Sequence, residues 1–312
     1  MTSHALVPDT LTMTTFNFEL NGRGDRSARM RAHRRIRDAG VHLLLRQEMF
    51  DADANAKEGM YEAEQELGLR GWLSEGSYTA VFADTSVFTV LREWPSPSPV
   101  FKCQPTAVTL QLHAAGPASI PLTAVAAHLS YASPTLRAVE AELLTTFHDK
   151  KVRVLDGQSV RKSAMVIGLD ANSYPHRLAP GESPLPHLDQ IEDEPHRAHR
   201  SRPVPGSSRA MDTHLHDTFR TAGLTDLAQH AAHLGESEAV HPSIPASDTH
   251  GPANRIDWLC ASTTLLPALR DIEVIDMQNL SDHNMVLARF DHQRLAELLT
   301  VDAQGTHQGV MA

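Results

Sequence analysis

The sequence predicts an α/β fold in which two mainly antiparallel sheets pack face to face with helices on their outer faces. Three observations carry that expectation. Between residues 78 and 128 the apolar pattern has period two over four successive runs, 79–83, 86–92, 106–112 and 122–127, as consecutive strands require. The run Ala164–Leu169 is apolar at every position and reads as a central strand covered on both faces. Strand-like runs recur with helical stretches between them in both halves of the chain, which suits two packed sheets with outer helices.

The elements follow in order. Leu11–Phe18 is rich in β-branched and aromatic residues and reads as a strand ending near Asn17. Arg26–Ala39 reads as a helix closed by Gly40. Val41–Leu45 is a short apolar strand that delivers Gln47 and Glu48 at its end, and Lys57–Leu67 is helical up to Gly68. The last of the four period-two strands hands over to His128. Ser133 and Pro134 are an N-cap and a first-turn proline for a helix whose expected apolar face is Leu136, Val139, Leu143, Leu144 and Phe147. The 164–169 strand ends at Asp170. Residues 175–210, with seven prolines and no apolar period, read as a long loop or insertion, functional or mobile. A helix over 213–231 and strands at Arg255–Cys260, Ile272–Asp276 and Met285–Phe290 complete the pattern. The expected organisation is an extension at 1–12, one domain at 13–292 and a tail at 293–312.

Bulk properties narrow the function classes. The 312 residues carry a net charge of −10 and 19 histidines, so the chain lacks the broad basic face of a tight, sequence-independent duplex binder. A nuclease stays open, because bound cations neutralise a carboxylate-rich cleft locally. Two cysteines, Cys103 and Cys260, imply neither a disulfide framework nor a structural zinc cluster. Residues 1–12 lack the basic and apolar stretches of a signal peptide, and no run approaches the roughly 18 apolar residues of a membrane span, so the expected setting is cytoplasmic and away from membranes.

The chemistry lies at the predicted strand ends: Asn17, Glu48, His128, the Asp170-Ala171-Asn172 triplet, Arg255-Ile256-Asp257-Trp258 and Ser281-Asp282-His283. Phosphodiester hydrolysis needs an activated in-line water, positive charge on the phosphoryl oxygens and a proton for the leaving group. Glu48 suits Mg²⁺, a hard ion that takes oxygen ligands, and Asn17 orients that carboxylate or a metal-bound water. Asp170 aligns or deprotonates the attacking water and Asn172 donates to a phosphoryl oxygen. His128 and His283 flank the phosphate, Asp257 holds the His283 tautomer, and Asp282 completes the acidic site or a second metal position. Arg197 and Arg200, in the proline-rich segment, are candidate contacts to substrate phosphate. Each signal has a bland counterpart: a surface carboxylate for Glu48, a core histidine for His128, a turn cap for Asn172, and an Arg255 or backbone partner for Asp257. The six arginines of the 26–37 helix read as a solvated face, and Trp72, Trp94 and Trp258 as core.

The ordered set TTFNFELNG, LLLRQE, AAHLSY, GLDANS, NRIDW and SDHNMV resembles the endonuclease/exonuclease/phosphatase superfamily, the fold of pancreatic deoxyribonuclease, from about Met13 to Phe290. The resemblance implies a four-layer α/β/β/α sandwich and divalent-metal phosphoesterase activity, with Asn17, Glu48, His128, Asp170, Asn172, Asp257, Asp282 and His283 at the site. Three positions depart from the pattern: Leu169 separates Gly168 from Asp170, Glu19 stands where the family often has Asn or Asp, and Arg46 replaces an apolar residue. The expected activity is Mg²⁺- or Mn²⁺-dependent phosphodiester hydrolysis, with nucleic acid as the substrate. The alternatives are a phosphorylated small molecule as substrate or a catalytically silent scaffold. No obligate protein partner is evident in the sequence.

Overall fold

The computed structural model describes residues 8–300 apart from 96, 97 and 177. Two six-stranded sheets form its centre. The first runs in spatial order Leu269–Ile275, Met285–Asp291, Thr10–Asn17, Leu43–Gln47, Ala80–Ala83 and Arg70–Leu73. The second runs Leu224–Asp226, Asp257–Ser262, Ala164–Asp170, Leu122–His128, Thr106–Leu112 and Phe88–Trp94. Each sheet is antiparallel except at its centre, where 10–17 lies parallel to 43–47 and 122–128 parallel to 164–170. The carboxyl ends of these four strands carry Asn17, Gln47, His128 and Asp170, so the two parallel pairs aim their chain ends at one place.

Alternation along the strands builds the layers. Met13, Leu43 and Leu45 face Val108, Ala124 and Val166 between the sheets. Phe16, Leu44 and Phe82 turn outward onto Ile36 and Met60 of the helices Arg26–Asp38 and Ala54–Leu67. On the far side Val125, Met165 and Ile167 meet Leu144 of the helix Pro134–Thr145 and Phe219 of the helix His214–Thr221. The result is the expected four-layer sandwich. At Gly168 the sheets approach closely: a Cβ there would lie 2.6 Å from Thr15 Cβ and 2.8 Å from Leu45 Cβ. Glycine at this position lets the sheets close next to Asp170.

Several local expectations change. The helix at 134–145 buries Arg137, Glu140, Ala141 and Leu144 and leaves Val139 exposed, because buried polar partners outweigh the apolar count. Arg137 pairs with Asp212 at 2.8 Å, and Glu140 accepts the Ser130 and Lys102 N–H groups. The 213–231 stretch is two helices, His214–Thr221 and Leu227–His233, split by a strand at Leu224–Asp226 after the left-handed Gly223. Among the described residues of 175–210 lie the helix Glu194–His199 and the strand Ser201–Val204, with irregular backbone between 178 and 187. At the ends, Thr10–Thr12 of the presumed extension pair with Arg289–Asp291. The helix His292–Leu299 begins at the last residue of the expected domain, takes in the start of the expected tail and buries Leu295 and Leu299. The rest of the tail, 301–312, and residues 1–7 lie outside the described residues. Among the described residues no helix is long and apolar enough to cross a membrane.

His33, on the buried face of the helix Arg26–Asp38, has neither ring nitrogen hydrogen-bonded. Burial, reinforced by the Arg46 and Arg29 charges, pushes it down to about 3. Below the ordinary histidine value the unfolded chain takes up a proton that the native state refuses. This contribution to stability is therefore complete above pH 6.5 and falls by about 1.4 kcal/mol per pH unit toward pH 3. Urea unfolding at pH 7.5 and 5.0 should show the wild type losing about 2 kcal/mol more than His33→Leu over that interval. Equal losses would show that His33 titrates normally in the fold.

Candidate active site

The site forms where the two parallel pairs end, and its residues come from both sheets. Asn17 bridges them: its Nδ2 donates to Glu48 Oε1 at 3.2 Å and to Asp170 Oδ2 at 3.0 Å. Gln47 Nε2 adds a second tie to the Gly168 carbonyl at 3.1 Å. Gly168 and Asp170 share the inter-sheet face of their strand and Leu169 points away, so the departure at Leu169 is ordinary strand alternation.

Strained backbone places two of the side chains. Glu48 has φ 57° and Asn172 φ 49°, left-handed conformations uncommon outside glycine and costly for glutamate. The Asn172 N–H closes the turn on Asp170 Oδ1 at 2.9 Å. The Leu20 N–H, itself presented by a left-handed residue, donates to Glu48 Oε2 at 2.6 Å.

Around Asp170 stand two imidazoles. His128 Nε2 lies 3.5 Å and His283 Nε2 3.9 Å from Asp170 Oδ2. His283 Nδ1 meets Asp257 Oδ2 at 2.7 Å, and Asp257 is fully buried and steadied by the Ser243 hydroxyl at 2.7 Å. Asp170, Asp257 and His283 offer ligand atoms within 4.8 Å of one another. The 2.7 Å contact between His283 and Asp257 is a hydrogen bond, so the three residues line up as an acid–histidine–acid chain. Burial opposes the His283 charge, but Asp257, Asp170 and Asp282 outweigh it and push the imidazole up to about 10. Burial also pushes Asp257 up, helped by the Asp170 charge, while His283 pulls it back. Since three carboxylates face the imidazole, the shared proton belongs on His283, with Nε2–H turned toward Asp170. Burial works against the Asp170 charge as well, yet the two histidines and the Asn172 N–H hold its carboxyl below the usual range.

The oxygen donors gather on the Glu48 side. Asn17 Oδ1 is buried without a hydrogen-bond partner. Asp282, about half exposed, has its carboxyl raised by partial burial and by Glu19, Glu48 and Asp170, against the pull of His283. An orphaned amide oxygen beside mutually repelling carboxylates fits a hard divalent cation, which prefers oxygen ligands.

Other candidates make different contacts. Arg197 spends its donors on the Ile191 carbonyl at 2.7 Å and the Glu192 carbonyl at 3.3 Å, within its own segment. Arg200 is buried, 2% exposed, with Nη1 on Asn172 Oδ1 and Nη2 on His250 Nε2, so it is no free surface cation. Arg46 turns to the outer face, over the Phe16 and Phe18 rings, and burial lowers it to about 9. Glu19 pairs with Arg23 while its N–H meets the Ser281 hydroxyl. Trp258 is buried, as expected of a core residue. Four of the six helix arginines, Arg26, Arg29, Arg34 and Arg37, face carboxylates. Ser243 and His250 join the site without any pattern in the sequence that marks them.

No family sequence model matches the chain, and no curated protein matches it in sequence. In structure it is similar to an endonuclease/exonuclease/phosphatase from Bacteroides vulgatus at TM-score 0.58 and 14% identity, covering 90% of this chain and 98% of that one. It is also similar to D. rerio TDP2 complexed with a single-strand DNA product, at TM-score 0.56 and 11% identity over 91% and 99% of the two chains. A third similar structure is the mannosyl-6-phosphatase Bt3783 of Bacteroides thetaiotaomicron, at TM-score 0.53 and 13% identity over 89% and 98%.

Proposed function

On the fold of the endonuclease/exonuclease/phosphatase proteins, which this chain shares, we propose a divalent-metal-dependent phosphodiester hydrolase of the cytoplasm that cuts nucleic acid. The observation that carries the reading is the convergence on Asp170 of Asn17, His128, His283 and, through Asn17, Glu48, from four strand ends in two sheets. Fold alone does not choose a substrate, since the similar structures include both a DNA-bound protein and a sugar phosphatase. Nucleic acid is favoured by a cation–aromatic pair three residues beyond His128. Tyr131 is 45% exposed, and Lys102 Nζ lies 3.7 Å from its ring centroid. A ring beside an ammonium suits a base next to a phosphate.

In this mechanism Glu48, Asn17 and Asp282 would hold the ion, Mg²⁺ or Mn²⁺, and the ion would supply positive charge to the phosphoryl oxygens. Asp170, kept ionised by its neighbours, aligns the attacking water and accepts its hydrogen bond. A proton held as firmly as that of His283 is poorly placed for transfer at neutral pH, so Nε2–H serves as a charged donor to a phosphoryl oxygen. His128, whose Nε2 faces the site 3.5 Å from Asp170 Oδ2, is left to protonate the leaving oxygen. Asn172 donates from its amide.

The test is hydrolysis of single-stranded DNA, RNA, bis-p-nitrophenyl phosphate and phosphomonoesters with EDTA or with added Mg²⁺ or Mn²⁺. Metal-dependent cleavage of a polynucleotide that Asp170→Ala abolishes supports the proposal. Release of phosphate from monoesters alone transfers the site to the small-molecule reading. Glu48→Ala should raise the Mg²⁺ concentration for half-maximal activity at least about tenfold. An unshifted Mg²⁺ titration would remove Glu48 from the ion.

A further inference from the structure

The Asn172 amide is held at both ends. Its Oδ1 lies 2.7 Å from Arg200 Nη1, and its Nδ2 donates to the Leu129 carbonyl at 3.0 Å. A guanidinium only donates and a carbonyl only accepts, so these two neighbours fix which end of the amide is oxygen and which is nitrogen. The nitrogen has two hydrogens and Leu129 takes one, leaving the second for the site. Arg200 is itself rigid. It is 2% exposed, its Nη1 also reaches the Asn172 carbonyl at 3.2 Å, and its Nη2 bonds His250 Nε2. His250 is held in turn through Nδ1 by the Ser247 and Thr249 hydroxyls, at 3.1 and 2.9 Å. The backbone of Arg200 is clamped by the Asp212 N–H at 2.9 Å, and Asp212 is the partner of Arg137 on the helix that follows His128.

We infer that Arg200 is a positioning residue: it locks the Asn172 amide with Nδ2–H presented to the bound phosphoryl group. This makes the proline-rich segment 175–210 part of the site's framework, and it rests on the phosphoesterase reading above. Without Arg200 the left-handed Asn172 keeps its backbone bond to Asp170, but its amide is held only at the nitrogen, by the Leu129 carbonyl, and the oxygen end loses the donor that anchors it.

The inference is tested by kinetics of Arg200→Ala, Asn172→Ala and the double variant on the polynucleotide or ester that the wild type cleaves, with urea midpoints recorded for each. Arg200→Ala should lower kcat about 10- to 100-fold with KM changed less than about threefold, and should lower it less than about threefold once Asn172 is alanine. Equal losses in both backgrounds would overturn the inference and leave Arg200 as a purely structural residue. Loss of the whole activity on chelation, or its survival in Asp170→Ala, speaks to the phosphoesterase reading and not to Arg200. A readout independent of turnover is the Asn172 side-chain amide in ¹⁵N NMR. In wild type its two protons should be distinct and one should exchange slowly, whereas in Arg200→Ala they should exchange fast. Unchanged amide protons in Arg200→Ala would overturn the inference even if turnover fell.

Discussion

Asp257→Asn is expected to lower kcat by about 10² to 10⁴-fold while leaving KM nearly unchanged, the range that loss of an oriented, charged histidine produces. Asp257 does not reach the substrate; it acts through the 2.7 Å bond to His283 Nδ1. Asparagine keeps the shape but removes the charge that makes the buried imidazole cationic, and it can present an N–H where an acceptor is needed. His283→Ala should fall by a similar factor. Because the two residues act as a unit, the double variant should lose far less than the product of the single losses. Full multiplicativity would show that they contribute separately, and an Asp257→Asn enzyme with normal kcat would remove His283 from the chemistry. Ser243, which bonds Asp257 Oδ2 through its hydroxyl, should show a weaker form of the same effect as Ser243→Ala.

Arg255→Leu is expected to cost about 3–5 kcal/mol of folding stability, a large part of the 5–15 kcal/mol of an ordinary domain. Arg255, Glu182 and Asp226 are each only 1% exposed at the side chain. Arg255 Nε meets Glu182 Oε1 at 3.0 Å and Nη2 meets Asp226 Oδ2 at 2.8 Å. Removing the guanidinium strands two carboxylates in the interior. Their charge, rather than a lost contact area, is what destabilises the fold. Adding Glu182→Gln and Asp226→Asn to Arg255→Leu should therefore recover much of the loss, since asparagine can still cap the helix Leu227–His233 as Asp226 does. Urea midpoints of the three proteins check this. A loss under about 1 kcal/mol for the single variant, or no recovery in the triple, would mean that water or a rearrangement solvates the carboxylates.

The contrast between the Asp257–His283 pair and the buried Arg255 cluster shows where sequence reasoning succeeds. Strand alternation and helix caps are local, so the sequence alone located the 10–17, 43–47, 106–112, 122–128 and 164–170 strands and the Ser133-Pro134 helix start within a few residues. Motifs at strand ends were legible for the same reason. A polar residue that ends an apolar run marks a strand end, which singled out Asn17, Glu48, His128 and Asp170, while His283 stands out by leading into the apolar strand 285–291. Buried residues that are polar are harder to place from the sequence. The 134–145 helix shows Val139 to solvent because Arg137 and Glu140 have partners at Asp212 and Ser130, distant or irregular in sequence. The 175–210 segment looks like a loop because prolines and charges hide its anchors, which exist only as pairs: Glu182 with Arg255 and Arg200 with Asn172.

By itself, then, the amino-acid order determined the layers, the strand ends and the residue types gathered at them, because period and punctuation are properties of neighbours along the chain. Only the tertiary structure decided that Asn17 joins Glu48 to Asp170 across two sheets, that Asp257 and Ser243 stand behind His283, and that Arg200 belongs to Asn172 and not to solvent. Those contacts span between 14 and 153 residues of sequence. A hydrogen bond over that distance depends on sheet order, on the close approach at Gly168 and on burial that removes competing water, and none of the three is encoded at a single position.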